Sequence, residues 1–234
     1  MRDRSLTARL SARRIPLSVD VAILTPHGRR LAVLLTRSLD SRSKERWELP
    51  WSSLATEEQL DDCATRVARE VLGVPPAWIE QVGAFGDKRR HPGGADVSVA
   101  FMALIPAGTP PPVGGDTAWF PADDLALIPP RQRSMIDGAM QALLSRLDSS
   151  PVAFRLLPAT FTLSQLQDIY EVLLGRRLHK ASFRRALHAA WLVDPTDEWR
   201  SEGRGRPAQL FRYAPRKRRG ARRGVRFEGL GTRD

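Results

Sequence analysis

From Val19 to Thr25, and again from Leu31 to Arg37, the chain runs through β-branched and apolar residues, with Pro26-His27-Gly28 between. That pattern predicts a strand, a turn and a strand. Residues 38–46 are charged and serine-rich and predict a loop, and Trp47-Glu48-Leu49-Pro50-Trp51 predicts a short strand ending at proline. Between 57 and 72 the period changes. Leu60, Cys63, Ala64, Val67, Val71 and Leu72 recur every three or four residues in one apolar stripe. This predicts a helix with Thr56 as N-cap and Gly73 as its stop, and Pro75-Pro76 bars its continuation. Strands are predicted at Ile79–Phe85, Val97–Ile105 and Thr117–Phe120, with a polar loop at 86–95 and a Pro/Gly loop at 106–115. A long helix over 130–147 closes this region, in an α/β or α+β order.

After Ser149-Ser150-Pro151, a plausible boundary, the rhythm differs. Thr162 with Gln165 three residues on forms a capping-box pattern ahead of Leu163, Leu166, Ile169, Tyr170 and Leu173. Gly175 ends that helix, and Arg176 to His179 make a short turn. A second helix is predicted from Lys180 to Trp191, with Phe183, Leu187 and Ala190 facing inward. Leu192 and Val193 begin an extended segment, a polar loop spans Asp197 to Pro207, and Gln209–Tyr213 returns as a strand. Helix, turn, helix and hairpin is the order of a winged helix-turn-helix. The organisation expected is a flexible basic arm over 1–14, a first domain over 15–150, the winged domain over 151–214 and a basic tail over 215–234.

Charge separates these halves. Residues 1–150 carry 19 basic groups against 18 acidic, whereas residues 151–234 carry 18 against 8. A basic half calls for a polyanion, nucleic acid or an anionic membrane surface. The tail supplies much of that charge, but residues 151–215 alone hold 10 basic against 6 acidic groups. One cysteine, Cys63, excludes an intrachain disulfide and a cysteine-built zinc site. No apolar run long enough for a membrane helix and no signal peptide are visible, so a cytoplasmic location with no membrane partner is expected.

Lys180, Ser182, Arg184 and Arg185 cluster in the first turns of the second helix, opposite its apolar stripe. That is where a recognition helix meets the major groove. Lysine and arginine neutralise phosphates, and arginine grips guanine in two bonds. Arg204 and Arg206 lie in a glycine-rich hairpin tip suited to a narrow minor groove. Arg13 and Arg14, with Arg9, are candidates for further phosphate contacts from the arm. A solvated basic face is the plain alternative for each cluster alone.

Residues 52–74, SSLATEEQLDDCATRVAREVLGV, resemble a Nudix box, G-x5-E-x7-R-E-U-x-E-E-x-G-U with U aliphatic. Anchored on Gly73-Val74, Arg66 falls at the box arginine, Ala68 at U, Glu70 at the first of the paired glutamates and Glu58 at the early glutamate. Ser52 replaces the opening glycine, Val67 the glutamate after the arginine, and Val71 the second paired glutamate. Box chemistry uses several carboxylates on one helix face to hold hard cations against a diphosphate. Two valines remove most of that set, leaving Glu70 to hold a Mg²⁺ weakly at best. The runs FGDKRRHPGGADVSVAFMALIP, SPVAFRLLPATFTLSQLQDIYEVLLGRRLHKASFRRAL and GRGRPAQLFRY resemble the Nudix-related transcriptional regulators of NAD metabolism over nearly all of residues 15–214.

The resemblance implies a fold: a Nudix-like α/β/α sandwich with a mixed sheet, followed by the winged domain, α+β overall. It implies a homodimeric repressor of NAD synthesis or salvage genes that binds a palindromic operator on double-stranded DNA. ADP-ribose or a related nucleotide would be its effector, with no cofactor required and no catalytic or metal residues, in keeping with the two valines. Candidate effector contacts are Trp47 and Phe101 for the adenine, Arg66 and Glu70 from the box, and Lys88 and Arg89, with Arg90, for phosphates. Trp47 and Phe101 read equally as core residues, and Lys88 to Arg90 equally as facing DNA. Two other classes compete. One is a Nudix-type nucleotide diphosphate hydrolase with an accessory nucleic-acid-binding domain. The other is an RNA-binding or nucleoid-associated protein that uses the basic tail.

Overall fold

The two apolar runs near the start of the chain become the centre of a seven-stranded sheet. The computed structural model describes residues 15–38, 47–87, 91–108, 116–125, 128–201 and 207–215. The strands are β1 (Leu17–His27), β2 (Arg30–Arg37), β3 (Trp47–Glu48), β4 (Trp51–Ser53), β5 (Trp78–Phe85), β6 (Val97–Leu104) and β7 (Thr117–Pro121). The main order is β3-β2-β1-β6-β5, with β4 paired to β1 and β7 to β2. β1 and β6 run parallel and the other pairs antiparallel, so the sheet is mixed.

Helix α1 (Leu60–Leu72) covers one face and α2 (Pro130–Ser145) the other. A strand buried on both faces reads as a continuous apolar run, which is why β1 and β6 stood out in the sequence. Alternate residues serve different cores: Val19, Val21 and Ile23 pack with Cys63, Ala64, Val67 and Ala68 of α1. Ala22 and Leu24 pack with Met135, Ile136, Ala139 and Leu143 of α2.

Several boundaries differ from the sequence expectation. Helix α1 starts at Leu60 with Gln59, not Thr56, at its N-cap. Glu57 takes a left-handed φ of 64°, which a helix starting at residue 57 cannot contain. Gly73 does end it, at φ 73°. β1 continues through Pro26 and His27, because its parallel pairing to β6 stops at Leu24 and only β2 flanks the proline.

The second region holds α3 (Val152–Arg155), β8 (Thr160–Phe161), α4 (Leu163–Leu174), α5 (Lys180–Ala190), β9 (Val193–Arg200) and β10 (Ala208–Tyr213). Both halves of the Thr162–Gln165 capping box form, at 2.9 and 3.1 Å. Gly175 caps α4 at φ 64°, and Trp191 caps α5 at φ 51°. The expected loop from Asp197 begins later, since Asp197 to Arg200 extend β9 against β10. The wing strand is polar because it is exposed, and that hid it. The segment after the boundary expected at Ser149-Ser150-Pro151 is packed. Val152, Ala153, Phe154, Leu156 and Leu157 are buried and join the core on the α2 face to that of the winged region.

Candidate functional site

Helix α5 presents Lys180, Arg184 and Arg185 to solvent, while Phe183 and Leu187 bury the opposite stripe. Phe183 stands edge-on to the buried Tyr170 of α4, 5.8 Å between centroids. Ser182 is half-buried, its hydroxyl 3.3 Å from His179 Nδ1. The turn before α5 is held by a residue that sequence reasoning missed. Glu171 of α4 accepts from Gln167 Nε2 at 2.9 Å, Leu178 N at 3.0 Å and Arg177 Nη1 at 3.1 Å. Burial opposes its charge, but these donors win and hold its carboxyl below the usual range. The basic turn of α5 is thereby fixed relative to α4. Arg200 of β9 reaches Gln165 at 3.3 Å and ties the wing to the start of α4. Arg204, Arg206, Arg13 and Arg14 lie outside the described residues.

On the box face, Arg66 and Glu70 come together at 3.3 Å. Arg66 Nε also pairs with Glu58 at 2.8 Å, its Nη2 with the second Glu58 oxygen at 2.9 Å, and its Nη1 with Ser52 Oγ at 3.4 Å. The Arg66 bonds, then the Ala55 amide, lower the Glu58 carboxyl to about 2. The guanidinium itself is raised further, chiefly by Glu58. Val67 is buried in the apolar stripe of α1, and Val71 packs at its margin. Both remaining box carboxylates therefore face an arginine, and among the described residues no cluster of three or more His, Cys, Asp or Glu groups suits a metal ion. Such a donor set does not fit a hard divalent cation held between carboxylates. Cys63, beneath them, is fully buried and its thiol is pushed up to about 11, chiefly by burial.

Trp47 is half-buried at the sheet edge, with the Arg37 guanidinium 5.1 Å above its ring and Phe120 edge-on at 4.9 Å. Phe101 must be corrected. It is completely buried between β6 and α1, among Val21, Ile23 and Val67, and offers no face to a ligand. Lys88 and Arg89 lie outside the described residues. The loop expected to carry them is bracketed by Asp87 and Ala95, and buried Arg131 of α2 binds both, at 3.2 Å and 2.8 Å.

A buried polar cluster also escaped the sequence reading. Asp20, the one carboxylate of β1, accepts from His91, Gln132 and Ser18. An aspartate inside a strand dominated by apolar residues is the available signal. Where the two regions meet, Gly28 and Arg29 of the β1–β2 turn face Asp168, Glu171 and Val172 of α4 and its cap Gly175 across a cavity of about 540 Å³. Burial, then Glu171, raises the Asp168 carboxyl, and Arg177 and Arg29 oppose that. Among the described residues no helix is long and apolar enough to cross a membrane.

Comparison with known proteins assigns both regions. Residues 14–139 match the NUDIX domain, and residues 153–213 match the NrtR DNA-binding winged helix domain. An ADPR responsive transcriptional repressor, NtrR, from Acinetobacter baylyi is 31% identical over 208 residues, 85% of this chain and 82% of the relative. Crystal structures of Shewanella oneidensis NrtR are similar over most of their length. One, alone, has a TM-score of 0.74 and 31% identity, covering 86% of this chain and 95% of that one. The other, complexed with a 27mer DNA, has a TM-score of 0.71 and 32% identity, covering 85% and 94%. With a NUDIX sheet, an NrtR-type winged domain and this likeness across both, the chain belongs to the NrtR family.

Proposed function

We propose that this protein is a transcriptional repressor that binds double-stranded DNA through α5 and the wing, and that ADP-ribose bound by the Nudix domain controls its release. The observation that carries the reading is the exposed basic turn of α5, held by Glu171 and backed by Phe183 and Leu187. DNA contact falls to Lys180, Ser182, Arg184 and Arg185, with Arg204 and Arg206 of the wing tip for the minor groove and Arg13 and Arg14 as further phosphate contacts. A homodimer would set two such helices about 34–36 Å apart, one turn of a palindromic operator. The relatives are named as a repressor responsive to ADPR and as a protein crystallised with DNA, which supports the same reading. The operator is expected at genes of NAD synthesis or salvage.

In the Nudix domain Arg66 and Glu70 remain the candidate effector contacts, with Trp47, Lys88 and Arg89. Hydrolysis is not its role. Arg66 engages Glu58 and Glu70, and valines stand at the other two box positions. The test has two arms. Purified protein is expected to shift specific promoter fragments at physiological salt and to leave ADP-ribose intact in the presence of Mg²⁺. Rapid Mg²⁺-dependent turnover would restore the hydrolase. Salt-sensitive binding with no sequence preference would favour a nucleoid or RNA-binding protein instead.

A further inference from the structure

The winged domain is connected unequally to the two faces of the sheet. The core on the α1 face, from Val19 and Val21 to Leu72 and Ile105, stays within the Nudix domain. The core on the α2 face runs on from Leu24 through Ile136 and Leu143 to Phe154, Tyr170 and Phe183. Helix α2 therefore shares its packing with the DNA-binding region. Arg66 and Glu70 of the box lie on the other face, so an effector that acts through them reaches α2 across the sheet.

Strand β4 makes that crossing. Ser52 accepts from Arg66 on the box face. Its neighbour Trp51 points to the opposite face, as alternation along a strand requires. There it stands edge-on to His91, 4.9 Å and 83° apart, and lies so close on Gly93 that a Cβ would overlap its ring. The indole N–H donates to Glu48 at 3.3 Å.

His91 carries the connection inward. The Gly93 amide donates to Nδ1 at 3.0 Å, so the ring holds its proton on Nε2, which donates to Asp20 Oδ1 at 2.9 Å. Gln132, in the first turn of α2, donates to the same oxygen at 2.8 Å, while its own carbonyl accepts from Leu49 N at 2.9 Å. Asp20, His91 and Gln132 are each no more than 1% exposed. Buried, directional bonds of this kind do not stretch gradually, since a lost partner leaves an unsatisfied polar group. A displacement of β4 either breaks the set or carries α2 with it.

We propose that Trp51, His91, Asp20 and Gln132 form the relay that couples the effector on the box face to helix α2 and the winged domain. His91 and Gln132 are positioning residues that touch neither ligand. The inference rests on the reading that ADP-ribose controls DNA release. The test uses the full chain, Gln132→Leu and the milder His91→Gln. ADP-ribose affinity is measured by calorimetry without DNA, and DNA affinity by anisotropy with and without saturating ADP-ribose. In the unaltered protein ADP-ribose is expected to weaken DNA binding about tenfold or more. Both variants should bind each ligand alone within about threefold of the parent, with the response reduced to about twofold or less. A folded variant that keeps the full response overturns the relay and leaves the functional reading standing. So does a variant that loses thermal stability and both affinities with the response intact, since that marks a merely structural role. No response in the unaltered protein overturns the functional reading first, and the relay with it.

Discussion

The two faces of the Nudix sheet are built alike and connected differently. Each is a layer of strand residues under one helix, yet the α1 core stops within the domain while the α2 core continues to Phe183 in helix α5 of the winged domain. A shared core makes two regions respond to strain together, because packed interiors have few intermediate arrangements. The face that resembles an enzyme is thus the mechanically private one, and the face without any box residue is joined to the output.

The largest test of that contrast sets two phenylalanines against each other. Phe183→Ala and Phe101→Ala each remove a fully buried ring and should each cost about 3–5 kcal/mol. Calorimetry is expected to show Phe183→Ala disturbing both regions and abolishing DNA binding. Phe101→Ala should destabilise the Nudix domain while folded protein still binds DNA. Equal loss of DNA binding at a temperature where both variants are folded would break the contrast.

Smaller effects sharpen it. Arg184→Ala should cost about 1–3 kcal/mol in DNA affinity if the side chain grips a base. Lys180→Ala should lower the slope of log K against log salt by about 1, as expected for one lost phosphate contact. Neither should change ADP-ribose affinity measured without DNA. Thr162→Ala removes one half of the capping box of α4 and should cost about 1 kcal/mol in thermal unfolding.

The smallest effect lies on the private face. Glu58 is lowered to about 2 by Arg66. A depressed carboxyl contributes stability above its ordinary value, and that contribution is lost as pH falls from about 4.5 towards 2. Glu58→Gln should therefore lower stability slightly at neutral pH and leave it unchanged below about pH 2, flattening the acid limb between, and the effect stays small because surface pairs are screened. An unchanged acid limb would show that the pair contributes nothing to folding.

Much of this was legible in the chain. Two-sided burial made β1 and β6 readable as apolar runs, and the three-four spacing of Leu60 to Leu72 gave α1. The Thr162–Gln165 box marked α4 because capping is local chemistry between neighbours. What escaped was set by distant partners. Asp20 finds His91 71 residues away and Gln132 112 residues away. Neither distance leaves a local pattern. Phe101 was misassigned to the ligand because an aromatic in a strand reads the same whether it packs or stacks. Nothing local separates Trp51 from Trp47, although Trp51 makes the contacts on both His91 and Gly93. The polar wing strand and the packed segment at 152–157 were hidden by composition and by shortness.

On this reading a ligand of the Nudix domain governs the grip of the winged domain on DNA. The most direct test is a titration of ADP-ribose into the full chain bound to a labelled operator duplex at fixed salt, followed by anisotropy. The apparent Kd for DNA is expected to rise with ADP-ribose and to level off once the Nudix domain is saturated. A DNA affinity that stays flat while calorimetry shows ADP-ribose bound would contradict it.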